Sequence, residues 1–329
     1  MVFLIQQTML YAIPLMIVAL AGVCAERSGV INLALEGIMI FGAFMGVIFV
    51  RMFQGAGWTQ DQGQIIMIIS LFLTGICGIA FSMLLAFSAI NLRADQTIGG
   101  TALNMLAPAI VMFFIYMIVQ QNTMGMAEGG AAGWFMIKPQ TFGFPKGHSF
   151  GPIIDLFINK VYLTTYICII IFVIVSIFLY KTKTGLRLRS CGENPQAADS
   201  VGINVYKMRW AGVLISGFLG GLGGIVYITA GVSEWKFEMG VAGFGFLALA
   251  VMIFGQWKPT NIALAALLFG LFRALSNVYT GIPFLAAMNI PSTVYNMLPY
   301  IISLIVLAFT SKNSRAPKAE GIPYDKGMR

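Results

Sequence analysis

The chain has 329 residues, 58% of them hydrophobic and only 10% charged, against roughly 25% charged in a soluble domain. Twenty basic and 12 acidic side chains cannot cover the surface of a water-soluble protein this size, so the composition reads as an all-α polytopic membrane protein. The net charge of +8 sits in short basic stretches between apolar runs, a topology signal that argues against nucleic-acid binding. The four cysteines lack metal-ligand spacing, and the single histidine, His148, leaves no material for a His-rich metal site or a Ser-His-Asp triad. No phosphate-binding loop occurs, so if ATP drives this protein, another chain binds it.

In chain order, apolar runs fall at about 9–25, 29–50, 65–90, 97–119, 161–180, 211–230, 241–257, 261–279 and 295–310. They predict nine crossings of a hydrocarbon core about 30 Å thick. Residues 1–7 carry no Lys or Arg, so the first run reads as a retained helix and not a signal peptide. Residues 181–210 hold Lys181, Lys183, Arg187, Arg189, Lys207 and Arg209 against Glu193 and Asp199, which places them in the cytoplasm. The tail beyond Lys312 is basic as well, and its parity agrees. By the same count, 120–160 form an extracellular loop and the N-terminus lies outside. The expected organisation is a transmembrane domain over 1–312 and a cytoplasmic tail over 313–329.

The chain also repeats itself. Thr101, Asn104 and Pro108 are echoed by Thr293, Asn296 and Pro299, and Arg93-Ala94 by Arg273-Ala274. The parity makes the two halves an inverted repeat, a construction typical of transporters.

Within the spans, Glu36 is an ionisable group that demands a reason, and Asn32 is placed one turn before it on the same helix face. The pair either lines a polar pathway or fixes helix packing. Thr97, Thr101, Asn104 and Pro108 share one face of a helix, and Thr293, Asn296, Tyr300 and Ser303 form a second polar stripe. Proline-interrupted segments in matching halves point to a substrate route through Thr101, Asn104 and Asn296, with interhelical hydrogen bonding as the competing reading. Phe244 and Phe246, beside glycines, could stack on a ring-shaped solute. The pairs Gly42/Gly46, Gly217/Gly221 and Gly220/Gly224 read as close helix packing.

The most specific segment is the basic loop. Asn194 suits a helix N-cap, Pro195 the first helical position and Gly202 the left-handed position after the C-terminus. They predict a helix of about two turns whose small apolar face, Ala197, Ala198 and Val201, docks in a groove on a partner protein.

Glu193-Asn194-Pro195-Gln196-Ala197-Ala198 through Gly202-Ile203 resembles the coupling loop of bacterial ABC-importer permeases serving branched-chain amino acids, simple sugars and nucleosides. Glu26-Arg27-Ser28-Gly29-Val30-Ile31-Asn32-Leu33 with Glu36-Gly37 resembles that family's second-helix signature. Arg93-Ala94, Gly100 to Asn104, and Gly243 to Ala250 are also similar to it. The resemblance implies roughly ten membrane segments in two inverted halves, within the bacterial cytoplasmic membrane. It implies a second permease subunit, a cytoplasmic ATPase that Glu193 to Gly202 would engage, and an extracytoplasmic binding protein or lipoprotein, with membrane lipid around this chain. It is closest to the nucleoside and simple-sugar group. On this reading the chain is a transport subunit and not itself an enzyme, and it holds no cofactor, since ATP and Mg belong to the partner ATPase. An ion-coupled secondary transporter is the alternative, with only Glu36 and Glu238 to serve it.

Overall fold

A computed structural model describes residues 2–121, 123–125, 134–137, 145, 151, 161–229, 234–236, 240–278, 291, 294–295, 297–298, 300–302, 304–305 and 315–327. Its helices are α1 (Val2–Glu26), α2 (Leu35–Gly55), α3 (Gly63–Ala86), α4 (Gln96–Val119), α5 (Leu163–Lys181), α6 (Lys183–Glu193), α7 (Pro195–Ser200), α8 (Val205–Thr229), α9 (Phe244–Phe254) and α10 (Pro259–Val278). A π turn, Phe87–Asn91, prolongs α3. Among the described residues seven helical segments are long and apolar enough to cross a membrane, and α9 is a shorter apolar helix. The protein is therefore a multi-pass helical bundle.

Helix α1 is apolar on every side and lies at the centre. Leu15 through Cys24 are almost entirely buried, packed by α5, α8, α9 and α10. A helix hydrophobic all round belongs in a core. Helix α8 reaches α2 and α3 through its glycines. A Cβ on Gly42 would lie 2.6 Å from the Gly221 Cα, and one on Gly78 would lie 2.2 Å from the Gly217 carbonyl oxygen. Bare backbones let these helices touch, as the glycine spacing predicts.

Two of the expected spans are broken. The run at 29–50 becomes helical only at Leu35, and Gly29 turns the chain with φ +95°. The run at 241–257 is helical only over Phe244–Phe254, after Ala242 and Gly243 in left-handed conformation. At about 1.5 Å per residue, an 11-residue helix spans roughly half of the hydrocarbon core. In the last expected span, residues 294–295, 297–298, 300–302 and 304–305 are helical.

The connections sort to two ends. At one end β1 (Thr123–Gly125) pairs antiparallel with β4 (Glu234–Lys236), and β2 (Met136–Ile137) with β3 (Val161–Tyr162). Arg51 Nη1 donates to the Gly125 carbonyl there at 3.0 Å. The basic loops gather at the other end, bound together by residues 315–327. Residues 315–327 of the expected tail pack against the bundle. Ala319 and Tyr324, apolar marks among the charges of the tail, are both buried.

Candidate translocation and coupling site

The centre of the site is the point where α2 and α9 begin. Glu36, in the first turn of α2, accepts the Gly243 N–H at 3.1 Å and the Gly245 N–H at 2.6 Å, and it also binds the Phe246 N–H. The first turn of a helix leaves N–H groups unpaired and carries a partial positive charge, so a carboxylate is its natural complement. A Cβ on Gly245 would sit 2.4 Å from the Glu36 Cα, so only glycine permits the contact. The acid thus ties the first half of the chain to the second. Its partner is backbone of α9, and neither Arg27 nor Asn32.

The broken stretch before α2 keeps its polar groups satisfied, as non-helical backbone inside a span must. Ile31 N–H donates to Gln96 Oε1 at 2.7 Å. Asn32 Oδ1 accepts the Ala34 N–H at 3.1 Å, and its Nδ2 donates to Ser216 Oγ at 2.7 Å. Asn104 Nδ2 donates to the Leu33 carbonyl at 2.7 Å, and its Oδ1 accepts the Gly37 N–H at 2.8 Å.

One of these contacts corrects the sequence reading: Asn32 precedes the helix, is fully buried and cannot share a helix face with Glu36. Asn104 places its amide on the break between α1 and α2, which is the interhelical hydrogen bonding that the sequence left open beside a role in the path. Replacing Asn104 with Ala strands a donor and an acceptor, at about 1–3 kcal/mol each. Asn104→Ala should therefore lower the thermal midpoint of the purified protein, whereas Thr101→Ala should not. A midpoint unchanged in Asn104→Ala would return that residue to the path.

Thr101 is exposed on α4, its hydroxyl donating to the Thr97 carbonyl at 2.8 Å. The two phenylalanines divide. Phe244 is buried, with its ring centroid 4.4 Å from that of Tyr227 and 6.0 Å from that of Tyr11, while Phe246 is 51% exposed. The Arg273 guanidinium lies 5.7 Å from the Phe244 ring and also binds Tyr227. In the sequence Arg273 stands out only through the repeat, although a cation within an apolar run is itself the signal of such a site. Tyr300 donates its hydroxyl to the Ala242 carbonyl at 3.4 Å, on the edge of the same junction. Asn296 and Thr293 lie outside the described residues.

At the basic end the local grammar of the loop holds. Asn194 Oδ1 accepts the Ala197 N–H at 3.0 Å, and Pro195 opens α7. The Gly202 N–H reaches the Asp199 carbonyl at 2.9 Å and the Ile203 N–H the Ala198 carbonyl at 3.1 Å, with Gly202 at φ +83°. That is the paired C-terminal closure which requires glycine. Helix α7 is not flanked by flexible chain. It stands on α6, whose Glu193 pairs with Arg27 at 3.1 Å, and it leads directly into α8. Ala198 departs from expectation: it is 3% exposed, buried with Cys191, Val205 and Tyr324. The outward face is instead Gln196, Ala197, Ser200 and Val201, the last 74% exposed.

Residues 315–327 strap this end together. Arg315 N–H donates to Gln256 Oε1 at 3.1 Å, and Ala319 N–H to the Gly192 carbonyl at 2.8 Å. The Ile322 carbonyl accepts from Arg209 at 2.9 Å, and Asp325 pairs with Arg93 at 2.6 Å. One segment thereby holds the turns at Arg93 and Gln256 together with α6 and α8. Glu320 hydrogen-bonds Glu26, which also accepts from Trp257 Nε1 at 2.5 Å, with Arg27 nearby. Burial pushes the Glu320 carboxyl up to about 7. A carboxyl raised in the docked state favours docking at low pH, and that advantage fades as pH rises from the ordinary carboxylate range through 7. Limited proteolysis of the tail should accelerate over that range and lose its pH dependence in Glu320→Gln. Equal slopes in the two proteins would contradict this.

A broken-helix junction, a doubly capped surface turn and a bundle of apolar helices define a multi-pass transport permease. The family model described as branched-chain amino acid transport system / permease component matches residues 4–308. The guanosine ABC transporter permease protein NupQ of Bacillus subtilis (strain 168) is 40% identical over 329 residues, 99% of this chain and 97% of that protein. The nucleoside ABC transporter permease protein NupC of Lactococcus lactis subsp. cremoris (strain MG1363) is 39% identical over 323 residues, covering 98% and 96%. NupB of the same strain, also named a nucleoside ABC transporter permease, is 25% identical over 320 residues, covering 96% and 82%. No solved structure matches the chain. The chain belongs to the branched-chain amino acid transport system / permease component family.

Proposed function

We propose that the protein is the permease subunit of an ATP-driven nucleoside importer, paired with a second, unlike permease. The observation that carries the solute is the 39–40% identity, over nearly the whole chain, to permeases named for nucleosides and guanosine. The junction supports it. At the meeting of α2 and α9 the Phe246 ring is exposed and the Tyr300 hydroxyl donates to the Ala242 carbonyl, while Thr101 is exposed on α4 one turn before Asn104. An aromatic face and neutral hydroxyls suit a solute that is part heterocycle and part sugar. Net hydrogen bonds of about 0.5–1.5 kcal/mol suit passage better than tight capture. Asn104, Glu36 and Asn32 shape the junction, and a partner ATPase that holds ATP and Mg docks on the outward face of α7. A binding protein delivers the solute at the opposite end.

The test is uptake by proteoliposomes holding the chain with its partner subunits. Labelled guanosine should accumulate only with ATP, and other nucleosides should compete while glucose does not. Competition by glucose alone would replace nucleosides with simple sugars. Uptake driven by an ion gradient without ATP would favour a secondary transporter.

A further inference from the structure

We propose that the groove between α5 and α10 is a binding site for an anionic phospholipid, with Lys181 and Lys258 holding the phosphate. The groove encloses about 830 Å³. Its walls are apolar, formed by Phe172 and Ile177 of α5 and Leu264 of α10, and its mouth carries Tyr180 and the two lysines. All of these lie in the last turns of α5 and the first turns of α10, towards the basic end. Tyr180 is fixed there, its hydroxyl donating to the Trp257 carbonyl at 2.7 Å, with the Arg189 guanidinium 4.7 Å from its ring.

Both lysines are exposed, and neither has a counter-charge among the described residues. Among the described residues the ion pairs within 4 Å are Arg27–Glu193 and Arg93–Asp325. Long lysine stems lie along apolar surface while their ammonium groups reach the membrane–water boundary. An apolar trough that ends in two unpaired cations has the charge and polarity distribution of an acidic lipid read from tail to headgroup. Basic pockets between helices at the cytoplasmic level bind such headgroups. A neutral solute would leave both cations unused. Helix α6 begins two residues beyond Lys181, so the bound lipid would press on the arm that carries α7.

The experiment uses the purified complex, with phosphatidylglycerol and phosphatidylcholine as probes. The complex is equilibrated with mixed micelles of both lipids, repurified, and its retained lipid is quantified by mass spectrometry. The wild type should retain phosphatidylglycerol in preference. Lys181→Gln and Lys258→Gln should each cut that retention about fivefold. Ile177→Trp, which fills the trough and keeps both lysines, should abolish it. Lys183→Gln with Lys207→Gln, a pair at the same end but outside the groove, should leave it intact. Equal loss in that outside pair would show general surface attraction and overturn the site. Retention unchanged in Ile177→Trp would overturn it too, as would loss of the second permease in the groove variants, because the trough would then be a subunit contact.

Discussion

Glu36→Gln should cost roughly 2–4 kcal/mol of stability, because a neutral amide replaces a carboxylate that faces the N–H groups of a helix start. The isosteric change adds no bulk, so the loss isolates the charge. One amide oxygen can serve a single N–H well, and the amide's own hydrogens then oppose the others. The expected readout is a thermal midpoint lower by several degrees, together with transport that falls at least tenfold while ATP hydrolysis continues. Glu36→Asp should recover little, since its side chain is one methylene too short to reach Gly243 and Gly245 together. Wild-type stability and transport in Glu36→Gln would show that α9 needs no anion at its start.

Removal of residues 315–329 should uncouple the transporter. Tyr324 shares a buried cluster with Ala198 and Val205, so the strap forms one wall of the seat on which α7 stands. Without it, α7 keeps its caps but loses its fixed position relative to α2, α4 and α8. ATP hydrolysis by the assembled complex should persist and uptake per ATP should fall at least fivefold. Tyr324→Ala gives the milder form, losing roughly 3 kcal/mol of docking free energy as a buried ring is removed. If the deletion prevents assembly, Tyr324→Ala still decides the matter. Normal coupling in that variant would make the strap a mere surface cover.

Much of this site is legible in the sequence, for identifiable reasons. The caps of α7 are short-range chemistry: Asn194, Pro195 and Gly202 each act on backbone within four residues, so spacing alone reveals them. The glycine contacts of α8 follow in the same way from helical periodicity. What stays hidden is the partner of each polar group. Glu36 stands out as a charge in an apolar run, yet nothing local says that its ligands are 207 and 209 residues away. Asn104 looks like a path residue because its stripe is polar, while its actual partners belong to a break that hydropathy averages away. Residues 29–34 are as apolar as a helix, and the helix fails there because neighbouring side chains accept and donate in its place. Ala198 could not be placed by its pattern alone, since a face of α7 small enough to dock outward is equally fit to pack inward on Tyr324.

If the outward face of α7 receives the force of ATP hydrolysis from a separate ATPase, a photo-crosslinking residue at Val201, 74% exposed on that turn, lies within the contact. In the assembled complex it should capture the ATPase subunit, with a yield that changes between ATP-bound and nucleotide-free states. The same probe at Ala198 should capture this chain's own tail. A Val201 probe that captures lipid or the second permease, and never the ATPase, would contradict the account.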